Sequence, residues 1–298
     1  MFFTILLMSC EASVKYKIAY NVLEDADQDN YEIYIMDVDG QHAVNITNNK
    51  GVDWVYYAYD DKIYFLSDRG NCKRCFYLYE MDASGENVRQ ISDFELADSW
   101  LGSRKNGKEF IVKPREEEQF FYIVDIEGKI IDKIGIDLPY INDPAFSPDG
   151  AAIVFRGATK KSPFEAGFSD ELFVMNLKDK NYKQLTFYPE KDSTYNWSGY
   201  QASAPRCRKD GKITFASKRG GNYDIYEINP DGTGMKAVSP VESNQVFHDW
   251  LEDGTLIFEA SMDNHSNYDL YKQSPDGSLR QLTNDSIEQY APVFVKIK

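Results

Sequence analysis

Short runs of alternating apolar and polar residues recur along the chain, and each is cut off by Asp, Asn, Gly or Pro. That period of two marks half-buried strands. Lys62–Ser67, Lys108–Val112, Ala152–Phe155, Lys212–Ser217 and Leu256–Glu259 are such runs. Each leads into a phrase made of an aromatic, then Asp, Asn or Ser three residues on, and in most copies Gly three further. The phrase occurs at Tyr34–Gly40, Tyr79–Gly85, Tyr122–Gly128, Phe173–Asp179, Tyr226–Gly232 and Tyr271–Gly277. Spacings between the aromatics are 45, 43, 51, 53 and 45 residues. Asp-Gly supplies the positive φ of a tight hairpin, so each phrase is a strand running into a turn.

A further strand comes after each turn and ends in Ile46-Thr47, Ile91-Ser92, Leu185-Thr186, Val238-Ser239 or Leu282-Thr283. Ahead of each unit lies an inner strand with its own turn, clearest in Asp143-Pro144-Ala145-Phe146-Ser147-Pro148-Asp149-Gly150. Four strands per repeat of about 40 to 50 residues is the period of a β-propeller. The chain opens with Tyr16–Val22, a second strand lacking its inner partner, and closes with Ala291–Lys296, an inner strand with no outer strands after it. Together they complete one blade. The expectation is an all-β, six-bladed β-propeller of four-stranded blades over residues 11–298, closed by pairing of the C-terminal and N-terminal strands, with almost no helix. Composition agrees: 21 Tyr and 18 Phe carry a strand bias.

Ser147-Pro148-Asp149-Gly150 with Ile153-Val154-Phe155, and Ile33–Gly40 with Ile46-Thr47, resemble the repeat of the TolB-type six-bladed propeller over about residues 15–298. TolB's own amino-terminal α/β domain has no counterpart, so the resemblance implies a fold and not a place in the Tol-Pal system. Propellers of prolyl-oligopeptidase type share the repeat, but there is no room for their hydrolase domain and no Gly-x-Ser-x-Gly elbow.

Residues 1–10 run apolar to Leu7-Met8-Ser9-Cys10, and then comes polar Glu11-Ala12-Ser13. The segment resembles a bacterial lipoprotein signal in which Cys10 becomes the lipidated first residue; a buried N-terminal strand is the alternative. With no Asp after Cys10, the resemblance implies the outer membrane. Elsewhere no apolar run approaches the roughly 20 residues of a membrane-spanning helix, so the membrane is reached only through a lipid anchor. Cys72 and Cys75 occupy a polar segment between strands, and without a second Cys-x-x-Cys pair a local disulfide is expected rather than zinc. Cys207 reads as a small buried residue. The formal charge of −15, from 33 Lys and Arg against 48 Asp and Glu, argues against nucleic acid.

Propellers bind at one end of the central channel. At that end the pattern places Asp53, Asp98, Asp143 and Asp249 near inner-strand starts, and Arg69, Arg115, Arg156 and Arg219 near second-strand ends. These could form a charged ring or pair between blades as structural links. His248 stands next to an inner strand; His42 and His265 are scattered. The longest loops, Arg156 to Asp170 and Phe187 to Ser203, carry Lys160, Lys161, Phe164, Tyr188, Tyr195, Trp197 and Tyr200. Aromatics there suit peptides or sugar faces or merely pack over neighbouring blades. Asp25, Asp27 and Asp29 alternate as in a Ca²⁺ loop, although Asn30 and Met36 replace its Gly and Glu, so a solvated turn competes with calcium. The expected function is a monomeric, non-catalytic binding platform of the cell envelope for a protein, peptide or glycan. The alternative is a polysaccharide lyase or glycoside hydrolase using channel carboxylates.

Overall fold

The computed structural model describes residues 14–70, 72–115, 119–161, 168–188, 201–219, 221–239, 242–262 and 267–297. It is a six-bladed propeller, each blade an antiparallel sheet of four strands, and among the described residues there is no helix. The inner strands are Gln289–Ile297 in blade 1, then Asp53–Tyr59, Gly102–Arg104, Tyr140–Phe146, Ser203–Cys207 and Asn244–Trp250 in blades 2 to 6. Blade 1 is the closure. Its C-terminal inner strand pairs with Lys15–Asp25 in a register that joins Lys15 to Ile297 and Val22 to Gln289.

The repeated phrase has a physical reason in each part. Its aromatic stacks on the phenylalanine of the preceding strand, as in Phe65 with Tyr79, Phe155 with Phe173, Phe215 with Tyr226 and Phe258 with Tyr271, at 5.6–6.0 Å between ring centres. The turn glycine holds a positive φ, +81° at Gly128, whose N–H bonds the Asp125 carbonyl. A Cβ on Gly128 would lie 1.9 Å from the Ile91 carbonyl oxygen of the neighbouring blade, so this turn also sets the inter-blade approach. The recurring hydroxyl after Ile or Leu accepts a third-strand N–H: Thr47 from Ile33, Ser92 from Leu78, Thr186 from Leu172 and Thr283 from Leu270.

Apolar clusters fill the spaces between adjacent blades, for example Ile111, Phe121 and Ile123 against Ile141, Ile153 and Phe155. One cluster reaches the axis, where Tyr56, Trp100, Ala204 and Ala291 meet, with Phe247 packed on them. Inner strands bend there through bulges. Asp143, Ala204 and Ala291 each adopt a φ near +50°, each ahead of a proline.

Candidate functional site

A cavity of about 410 Å³ opens at the starts of the inner strands. Its depth is set by a plug across the axis. Trp100 of blade 3 meets Phe247 of blade 6, on the opposite side of the ring, at 5.1 Å. Arg206 of blade 5 reaches across to donate from Nη2 to the Tyr56 carbonyl of blade 2 and from Nε to the His248 carbonyl, both at 3.2 Å. Its guanidinium lies 4.3 Å from the centre of the Trp100 ring. Burial pulls the Arg206 pKa down from its usual value while Asp249 opposes that. The channel is therefore a funnel with a floor.

One wall of the funnel is aromatic. Tyr31 packs edge-on to Trp54 at 5.0 Å, Trp54 contacts Tyr56 at 6.2 Å, and Tyr56 meets Trp100 edge-on at 5.0 Å. The Tyr56 ring faces the axis because a bulge between Val55 and Tyr57 shifts the register of its strand. The opposite wall is charged and comes from blade 4. Arg156 Nε lies 3.1 Å from Asp143, Nη1 3.6 Å from Asp170, and Nη2 donates to the Tyr140 hydroxyl at 2.9 Å. Burial pushes the Asp143 and Asp170 carboxyls up from the usual range, and the Arg156 charge opposes it. Burial pushes the Tyr140 hydroxyl up to about 12.

Between the walls sits Arg74, presented by the Cys72–Cys75 disulfide loop. Its guanidinium grips Asp29 through two bonds of 2.7 and 2.6 Å and stands 3.8 Å from Asp98. That pairing holds the Asp29 carboxyl below its ordinary range. Asp98 accepts a hydrogen bond from the Tyr56 hydroxyl, yet its side chain remains 59% exposed.

The cavity thus brings together three of the residues expected from sequence: Asp98, Asp143 and Arg156. Asp53 instead closes blade 2 from within, bonded to Ser67 and paired with Arg69, which lies over Phe65 and Tyr79. Arg115 borders a shallower depression beside Lys113 and Gln119, and bonds the Arg74 carbonyl at 2.7 Å. Arg219 covers Tyr188 and stands 3.7 Å from Glu171. Asp249 is sixth in a seven-residue strand that begins at Asn244, so it lies away from the strand start where sequence placed it. The polar Asn244-Gln245 opening hid that start. Asp249 accepts the Phe294 N–H at 2.9 Å. His248 is buried against the Thr214 hydroxyl at 2.8 Å, and burial with the Arg206 charge lowers its pKa to about 3. Cys10, Trp197, Phe164, Tyr195, Tyr200 and His265 lie outside the described residues.

Asp25, Asp27 and Asp29 do not converge. Asp25 Oδ1 accepts the N–H groups of Asp27 and Gln28, closing its own turn, while Asp29 faces Arg74. Among the described residues, the metal-capable side chains that do come together are Cys72, Cys75 and Glu95, and the two cysteines are joined to each other. Cys207 is half-buried and free, its thiol pushed up to about 12 by desolvation.

Sequence reasoning missed Trp54, Tyr56, Trp100, Asn142, Arg74, Arg206 and Phe247 at the funnel. The available signal was the position of Trp54 and Trp100 at or just before predicted inner strands.

No family model matches the chain. Among solved structures, TolB from Acinetobacter baumannii is similar at 18% identity over 94% of this chain, with a TM-score of 0.69. This chain spans 66% of that protein. The putative TolB from Agrobacterium tumefaciens gives 12% identity over 91% of this chain and 90% of its own length, TM-score 0.65. An oligogalacturonate lyase in complex with manganese gives 12% identity over 91% of this chain and 74% of its own length, TM-score 0.50. Among the described histidines, His42 is exposed beside Asp37 and His248 is buried on Thr214, and neither belongs to a group of side chains close enough to hold a metal. At these identities the likeness is one of architecture alone, and that architecture is the six-bladed β-propeller.

Proposed function

We propose that this protein is a non-catalytic binding propeller of the bacterial cell envelope, anchored through lipid on Cys10, that takes the end or loop of a protein, peptide or glycan into the funnel. One observation carries the reading. The charged groups of the mouth are set against one another as ion pairs, Arg156 with Asp143 and Asp170 and Arg74 with Asp29 and, at 3.8 Å, Asp98, around a wall of rings. A paired mouth of this kind fixes the shape of a recognition surface. A hydrolase would instead need two carboxyls poised about 5 to 9.5 Å apart across a scissile bond. The TolB-type architecture agrees with a binding role by analogy.

The test is a peptide and glycan array probed with wild type, Trp54→Ala and Asp98→Trp. The last fills the mouth from an exposed position. Ligands held by wild type should be lost in both variants while melting curves show that both remain folded. Retained binding in both variants places the ligand elsewhere. Release of unsaturated products from oligogalacturonate would favour the lyase alternative. For the anchor, Cys10→Ala should move the protein from the membrane to the soluble fraction; a wild type already soluble and keeping Met1 contradicts it.

A further inference from the structure

We infer that the funnel selects a cationic group, the lysine or arginine side chain of an extended peptide. The inference rests on the binding reading above and adds the ligand's chemistry. Three observations lead to it.

The first is charge. Around the mouth, Lys73, Arg74 and Arg156 stand against Asp29, Asp98, Asp143 and Asp170, three cations facing four carboxylates. Each guanidinium is already shared between two carboxylates, and Lys73, 68% exposed, stands 3.7 Å from Asp29, so the carboxylates outnumber the cations at the mouth. Asp98 is engaged least: Arg74 stands 3.8 Å away, beyond hydrogen-bond distance, and more than half of its side chain faces solvent. Tyr56 stays a neutral donor to it, since burial raises its hydroxyl well above the usual value. A carboxylate already oriented by one donor and open on its other side suits an ammonium or guanidinium.

The second is the wall beside it. Trp54, Tyr56 and Tyr31 line the same cavity as Asp98, and aromatic faces attract cations more strongly once water is excluded. The molecule already uses this contact, with Arg206 over Trp100 at the floor. The aliphatic stem of a lysine or arginine would lie along Val52, Leu66 and Phe76, which also line the cavity.

The third concerns the peptide backbone. Trp54 Nε1 and Asn142 Oδ1 are buried atoms without a hydrogen-bond partner, in residues that line the cavity. Asn142 uses its amide nitrogen on the Asp98 carbonyl at 3.1 Å, which fixes Oδ1 as the spare acceptor. A free donor on one blade and a free acceptor on another match the two kinds of group that an extended peptide backbone offers along its length. At long range the formal charge of −15 steers basic partners toward the protein.

The experiment measures quenching of tryptophan fluorescence, or heat by calorimetry, with three blocked tripeptides: acetyl-Ala-Lys-Ala-amide, its arginine counterpart and its norleucine counterpart. Norleucine keeps the stem and removes the charge. The lysine and arginine peptides should bind about tenfold more tightly than norleucine, the factor that 1.4 kcal/mol sets, and the preference should shrink with salt. Asp98→Asn should collapse the preference toward one while its melting curve stays near wild type. Should Asp98→Asn fail to fold, Tyr56→Phe, which removes the hydroxyl that orients the carboxylate, should lower the preference instead. Equal affinity for charged and uncharged peptides overturns the cation inference and leaves the funnel reading standing. Binding only of neutral glycans, still blocked by Asp98→Trp, also overturns the cation inference alone. If none of the peptides binds at millimolar concentration and the array ligands survive Asp98→Trp, both readings fall.

Discussion

Two arginines of the funnel, Arg206 and Arg74, show how depth decides what one side chain does. Arg206 lies on the axis, bonded to carbonyls of blades 2 and 6 and laid on Trp100 of blade 3. It ties together blades that are not sequence neighbours. Arg74 lies at the rim, on the loop between the second and third strands of blade 2, bonded to Asp29 and near Asp98, with 45% of its side chain exposed. Its pairs are screened by water, and exposed pairs contribute little stability. The floor is thus a structural element, and the rim is the element we propose for recognition. The disulfide between Cys72 and Cys75 keeps Arg74 at its post, in a left-handed backbone conformation with φ of +56°.

The change that breaks both regions at once is loss of closure. Residues 290–298 include Tyr290 and Ala291, which pack with the axial cluster, and most of the strand that pairs with Lys15–Asp25. Deleting them should abolish cooperative unfolding and leave the chain protease-sensitive, whereas an open solenoid would lose only its end. Circular dichroism melting and limited proteolysis decide the matter.

Next in size is Arg206→Ala. It strips two buried carbonyls of their donor and should cost about 3 kcal/mol in denaturant unfolding. A loss no larger than that of an exposed arginine would mean the plug is not structural.

A smaller effect concerns Glu259 on the second strand of blade 6, which accepts the Ala291 N–H of the blade 1 inner strand at 2.7 Å. Burial, the largest cause, raises its pKa to about 8, against about 4.3 in an unfolded chain. The folded protein keeps a proton that the unfolded chain has released between those values. Stability from this group is full at low pH and falls as pH rises through about 8. Glu259→Gln keeps the acceptor and should remove the loss, gaining about 1–3 kcal/mol over wild type at alkaline pH. Parallel pH profiles for the two proteins would contradict this.

Smallest is Arg74→Ala, expected to cost less than about 1 kcal/mol of stability while changing ligand affinity at the mouth. A large loss of stability with unchanged binding would reverse the roles given to the two arginines.

The fold was legible because its signals are local: alternation, the Asp-Gly turn and the hydroxyl that accepts a third-strand N–H all act within one blade. Closure was legible because the two chain ends complement each other. The site was half legible. Asp98, Asp143 and Arg156 stood out as charges beside strand ends, but the aromatic wall did not. Tyrosine and phenylalanine number 39 in all, and which of them face the axis depends on bulges such as that between Val55 and Tyr57. A period of two cannot register a bulge. Arg206 was hidden beside Cys207, and Arg74 inside what read as a disulfide loop, because each acts through partners far away in sequence.

The most direct measurement is a crystal structure of the protein with a peptide or glycan that the array identifies. Ligand density is expected above the Trp100–Phe247–Arg206 floor, between the rings of Trp54 and Tyr56 and the carboxylate of Asp98. A ligand bound on the opposite face of the ring, or threaded along the axis past a displaced Arg206, would contradict the funnel as the binding site.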